Sequence, residues 1–211
     1  MTTYVLIPGA CHGGWYYDPI ASRLRAEGHE VHAPTPSTGR VNLEDHVAEV
    51  LALVGDLSDV VLVGHSYGGM VITVVADRLP DRVKALVYLD AFVPRDGESG
   101  YDIAHGRWRE WYVEGASGDG FAFPPLPFFD PRATPHPLAT MLQRASLTGA
   151  VDKVTERFYL FAERFPDSPL ATTWARLRDD PSWRAVGLPI GHDVVGEAPE
   201  ELLALLRTAG G

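Results

Sequence analysis

The stretch Val60-Val61-Leu62-Val63-Gly64-His65-Ser66-Tyr67-Gly68-Gly69-Met70-Val71-Ile72-Thr73-Val74-Val75 decides the architecture of this chain. Its first four residues are a β-branched, wholly apolar run, which suits a strand buried on both faces of a parallel sheet. Gly64 to Gly68 then matches Gly-x-Ser-x-Gly, and Gly68-Gly69 opens a second apolar segment long enough for a buried helix. A sharp strand-to-helix turn needs glycine on both sides of its central residue, because side chains there would collide with neighbouring backbone. Such a turn raises the Ser66 hydroxyl into a cleft and sets it at a helix N-terminus, where free N–H groups and the helix dipole favour a developing negative charge. The five-residue pattern alone is weak; the strand before it and the helix after it make it specific.

Working outward, the same alternation recurs. Thr3 to Ile7 reads as a first buried strand, followed by the glycine-rich loop Pro8-Gly9-Ala10-Cys11-His12-Gly13-Gly14-Trp15. Tyr17 to Ala26 reads as a helix and Glu30 to Ala33 as a short strand. Asn42 is a good N-cap for a helix that places Leu43, Val47, Val50, Leu51 and Val54 on one face. Ala85 to Leu89 is a fourth apolar strand ending at Asp90, Arg157 to Phe161 a fifth and Trp183 to Leu188 a sixth, with a helix over Leu170 to Arg178 between the last two. Pro199, Glu200 and Glu201 open a final helix. Alternating strands and helices with short connections predict an α/β fold: a mostly parallel sheet of about six strands, with helices on both faces. In such a sheet the active cleft lies at the carboxyl ends of the strands.

Residues 95–150 break this rhythm. They are rich in glycine, proline and aromatic residues, including Trp108, Trp111 and the run Phe121-Ala122-Phe123-Pro124-Pro125-Leu126-Pro127-Phe128-Phe129. The stretch is too long for a simple connection and too aromatic for a solvated linker. It is expected to form a lid over the cleft, inserted between a first core segment (1–94) and a second (151–211) of one domain. Trp108 and Phe123 are candidate substrate contacts in it, with Cys11 from the first loop.

Composition narrows the partners. The chain has 211 residues, 45% apolar, enough for one sizeable core. Eighteen basic residues face 28 acidic ones, a net charge of −10, which disfavours nucleic acid and anionic membrane surfaces. A single cysteine, Cys11, permits no intrachain disulfide and fits a reducing cytoplasm. The N-terminus carries no recognisable signal peptide and no apolar run approaches membrane-spanning length. No internal repeat, zinc spacing or Walker-type loop is present, and no metal site is expected. A homodimer is compatible with the sequence, which demands none.

A serine hydroxyl needs a base, usually histidine, and the base needs an orienting acid. His192 follows the last strand in a Gly191-flanked loop and is the only histidine in the last third of the chain. His65 adjoins Ser66 too closely to curl back onto it and is expected to pack or hold the turn. The oxyanion donors are expected to be the Tyr67 N–H and an N–H of the first loop, Ala10, with Cys11 as the alternative.

The motifs at Pro8–Trp15, Gly64–Met70, Val87–Pro94 and Gly191–Asp193 resemble those of small α/β-hydrolases of the plant methyl esterase and hydroxynitrile lyase group, with its bacterial esterase relatives. The resemblance covers nearly the whole chain. It implies the α/β-hydrolase fold and a cofactor-free Ser/His/Asp hydrolase acting on a small or medium carboxylic ester beneath a lid. Hydroxynitrile lyases carry threonine where this chain has Gly9 and lysine where it has Asp193, which argues against lyase chemistry. Pro8 also replaces the histidine usual in that loop. The family's acid follows the penultimate strand, where this chain offers Glu163 and Asp167, neither on the expected position. Asp90, at the end of the strand after the nucleophile strand, is the preferred acid. The same residues would serve a thioesterase, cyclase or acyltransferase, and a non-catalytic small-molecule-binding protein is a further alternative on this scaffold.

Overall fold

The computed structural model describes all 211 residues. Six strands form one wholly parallel sheet: β1 (Thr3–Ile7), β2 (Glu30–His32), β3 (Val60–His65), β4 (Val83–Leu89), β7 (Glu156–Ala162) and β8 (Arg184–Leu188), in the spatial order β2-β1-β3-β4-β7-β8. The sheet reverses its winding between β1 and β3, and chain segments leave the carboxyl ends of β1, β3, β4 and β7 side by side.

Strand residues alternate between two cores, as the period of two requires. Val5, Ile7, Leu62, Leu86, Tyr88 and Tyr159 face α2 (Leu43–Val54) and α3 (Gly68–Arg78). Tyr4, Leu6, Val61, Val63, Val87 and Leu160 face α1 (Asp18–Ala26) and the C-terminal helix α9 (Pro199–Gly210). Helices therefore cover both faces of the sheet. Asn42 caps α2 through a capping box with Asp45. The predicted helix at Tyr17 begins instead as a 3-10 turn, Gly14–Tyr17, because Pro19 fits the first turn of an α-helix starting at Asp18. β4 starts at Val83, two residues earlier than its apolar run predicts; Lys84 is tolerated because its ammonium reaches the Gly210 carbonyl.

Between β4 and β7 lie α4 (Gly100–Ile103), α5 (Arg107–Gly115), a short antiparallel pair β5 (Ala122–Phe123) and β6 (His136–Pro137), and α6 (Leu138–Leu142). Their apolar residues, among them Trp108, Tyr112, Phe123 and Met141, join the same core as α2 and α3. The buried Asp77 of α3 ties the end of this region down, accepting the Thr148 N–H, the Thr148 hydroxyl and the Val151 N–H. No helix is long and apolar enough to cross a membrane.

Candidate active site

Ser66 occupies the turn between β3 and α3 with φ +50°, a conformation that a β-carbon disfavours. The turn is held by hydrogen bonds on both sides of the residue. Ser66 N–H donates to the Leu89 carbonyl, and the Ser66 carbonyl accepts the Gly69 and Phe92 N–H groups. Gly68 is required sterically: a β-carbon there would lie 2.3 Å from the Ile7 carbonyl oxygen.

Asp90 ends β4 and is fully buried. Its N–H donates to Leu160 O, and its Oδ1 accepts the Ala162 N–H at 3.2 Å. Its Oδ2 stands 2.6 Å from His192 Nδ1. Beyond β8, His192 sits in the loop ahead of α8 (Val194–Glu197), whose N-cap is Asp193. The imidazole stacks on Phe165, centroids 4.4 Å apart and planes nearly parallel, and lies against His65 at 4.5 Å. His65 Nε2–H donates to the His192 carbonyl at 2.9 Å. Burial, with the neighbouring His192 and His12, pushes the His65 pKa well below 6.5. His65 is thus a neutral clamp on the His192 loop, in line with the packing role expected from its position.

Glu163 and Asp167 lie elsewhere. The Glu163 carboxylate rests against Gly187 of the edge strand β8, and the exposed Asp167 carboxylate stands 3.8 Å from Arg107. Neither lines the cavity that Ser66 opens into.

That cavity, of about 300 Å³, is lined by Ser66, His192, Ala10 and Tyr67 and walled chiefly by aromatic and other apolar side chains. Trp108 lines it, with Trp111, Phe128 and Phe129 from the same region. Two expected contacts are corrected. Phe123 is fully buried, packed among Trp111, Tyr112 and His136, because β5 turns its side chain into the core. Cys11 is likewise buried behind the loop, and burial raises its thiol to about 12. The cavity also takes Trp15, Tyr16, Phe165 and Arg132, which sequence reasoning did not single out. Trp15 ends the glycine-rich loop and Tyr16 directly follows it, so their position carried a signal; Phe165 and Arg132 had none. Arg132 is bidentate to Asp130 and lies over the Trp15 ring.

The N–H groups of Ala10 and Tyr67 donate to no backbone carbonyl, whereas Cys11 N–H is taken by His136 Nδ1 at 3.3 Å. Of the two first-loop candidates, Ala10 therefore carries the free donor. Gly9 permits the approach: a β-carbon there would come within 2.9 Å of Ser66 Cβ and of His65 Nδ1.

Comparison with known proteins agrees with the fold. Residues 4–209 match the alpha/beta hydrolase family. The carbendazim hydrolyzing esterase of Nocardioides sp. (strain SG-4G) is 35% identical over an alignment of 243 positions that spans all of both chains. Salicylic acid-binding protein 2 of Nicotiana tabacum is 35% identical over 103 residues, 43% of this chain and 40% of that protein. Among solved structures, an extracellular alpha/beta-hydrolase from a Paenibacillus species superposes with a TM-score of 0.85 at 25% identity, covering 100% of this chain and 99% of that one.

Proposed function

The chain belongs to the α/β hydrolase family and is a hydrolase, and from that premise we propose that it is a serine carboxylesterase working through an acyl-enzyme on Ser66. The observation that carries this reading is the 2.6 Å contact between the buried Asp90 carboxylate and His192 Nδ1, in a histidine that shares one cavity with Ser66. Asp90 accepts the hydrogen bond from Nδ1–H and so fixes the tautomer, which leaves Nε2 with its lone pair towards the cavity. Nε2 takes the Ser66 proton as Oγ bonds to the ester carbonyl carbon. The carbonyl electrons move onto oxygen, where the Ala10 and Tyr67 N–H groups receive them. Collapse breaks the bond to the alcohol, which leaves with the proton held on His192. Water, deprotonated by the same Nε2, then attacks the acyl carbon and frees the acid and Ser66.

The aromatic walls favour a neutral ester with an apolar or aromatic group, and residues 95–150 act as a lid that supplies Trp108, Trp111, Tyr112, Phe128 and Phe129 to that wall. The likeness to a carbendazim hydrolyzing esterase supports ester hydrolysis. The lone cysteine suits a cytoplasmic setting.

The test is hydrolysis of a p-nitrophenyl ester series, with fluorophosphonate labelling of Ser66. Ser66→Ala and His192→Ala are expected to abolish turnover. Asp90→Asn is expected to lower kcat by about 10⁴-fold, the loss seen when a triad acid becomes an amide. Glu163→Gln and Asp167→Asn should stay within about twofold of wild type, as distant surface changes do. A wild-type protein that neither turns over any ester nor takes the label would overturn the esterase and favour a binding role.

A further inference from the structure

We propose that His136, in the region between β4 and β7, is a positioning residue for the oxyanion loop: its neutral Nδ1 takes the Cys11 N–H and so holds the Ala10 N–H towards Ser66. This rests on the esterase reading above and assigns a role to a residue outside the cavity. Residues 9–12 form a turn closed by His12 N–H to Gly9 O at 3.2 Å. Its third residue, Cys11, has φ +67°. That position of a type II turn favours glycine or asparagine, so a cysteine there needs outside support.

The support is specific. His12 lies with Nδ1 2.8 Å from the Ala10 carbonyl, placing its proton on that nitrogen. Thr134 N–H donates to the Cys11 carbonyl at 3.0 Å, and His136 Nδ1 accepts the Cys11 N–H at 3.3 Å. Both backbone groups of Cys11 are therefore held by one segment, 134–136. The tautomer of His136 follows from its other partner. The Thr140 hydroxyl donates to the Pro137 carbonyl at 2.7 Å, so Thr140 Oγ1 accepts from His136 Nε2–H at 2.8 Å. Nδ1 keeps its lone pair, and burial holds the ring neutral. The same imidazole meets the Tyr67 ring edge-on at 4.7 Å. One side chain thus braces the loops carrying both proposed oxyanion donors, coupling the fit of residues 134–140 to the assembly of the hole.

Two amides separate the two ring nitrogens. His136→Asn places a carboxamide oxygen near the Nδ1 position; His136→Gln keeps a donor for Thr140 but offers Cys11 no acceptor. A lost oxyanion donor costs about 10²–10³ in kcat, so its misplacement in His136→Gln should cost at least about tenfold. KM is expected to stay within about twofold, since the interaction is made in the transition state. Affinity for a trifluoromethyl ketone should fall by the same factor as kcat, and His136→Asn should recover most of both. The Cys11 amide should resist hydrogen exchange in wild type and His136→Asn and exchange fast in His136→Gln. Wild-type kcat and ketone affinity in a folded His136→Gln, or an equal loss in His136→Asn, would overturn the proposal. Should His136→Gln not fold, Thr140→Val, which frees the His136 tautomer, must lower kcat and Cys11 protection; no change in either also overturns it. Failure of the esterase reading shows differently, as absent Ser66-dependent turnover in wild type, and the Cys11 exchange still decides what His136 does.

Discussion

Ser66, Cys11 and Asp90 share an unusual backbone: each has a β-carbon and a positive φ, of 50°, 67° and 40°. All three follow strands of one sheet and lie at or directly behind the cavity. Strain of this kind persists where surrounding hydrogen bonds over-determine it, as the bonds of the Ser66 and Asp90 backbones do here. A consequence follows for Ser66. Glycine adopts its conformation without the β-carbon penalty, so Ser66→Gly should raise the unfolding free energy by about 1 kcal/mol while abolishing turnover. Ser66→Ala, which keeps the β-carbon, should be inactive without that gain. Urea denaturation compares the two, and equal midpoints would show that the turn stores no strain.

At the scale of elements, the placement of α3 controls the site, since its first turn directly follows Ser66 and Tyr67. The first turn of the helix meets neighbouring backbone through glycines. A β-carbon at Gly69 would lie 2.1 Å from the Phe92 carbonyl oxygen, which is backbone and cannot rotate aside. Gly69→Ala should therefore cost about 3 kcal/mol, the upper part of the usual overpacking range, and should lower kcat by displacing the Tyr67 N–H. Gly118→Ala, where an added β-carbon meets nothing within 4 Å, should be neutral to within about 0.5 kcal/mol. Denaturant midpoints for the pair test this, and a Gly69→Ala protein as stable as wild type would mean that the helix can shift along the sheet.

For the whole molecule, the buried histidines set the response to acid. Burial pushes His12, His46, His65 and His136 below the ordinary 6.5, the last two well below. Between their folded and unfolded pKa values the unfolded chain binds protons that the folded one refuses. Stability is then fully present above about pH 6.5 and is lost as pH falls through the folded values. Carboxylates held low, such as Asp77 and Asp130, respond only in a more acidic window. The melting temperature should fall steadily from pH 7 to pH 5, and a flat profile there would refute neutral burial of these rings. The division between sequence and fold has a physical basis at this scale. The Ser66 turn, the parallel sheet and the place of His192 were legible because they rest on local patterns: a β-branched run, glycines at fixed offsets and the order of motifs along the chain. By contrast, three carboxylates competed as the partner of His192, and the strand-end position of Asp90 favoured it without excluding Glu163 or Asp167. Asp90 reaches His192 because β4 lies inside the sheet between β3 and β7, so its end faces the loop that returns after β8. Aromatic composition likewise announced an apolar wall without saying which rings would face it: Phe165 does and Phe123 does not. The bond from Cys11 to His136 spans 125 residues of chain. Direction of a side chain and contact across such a separation arise only when packing closes the chain on itself, which is why tertiary structure alone decided them.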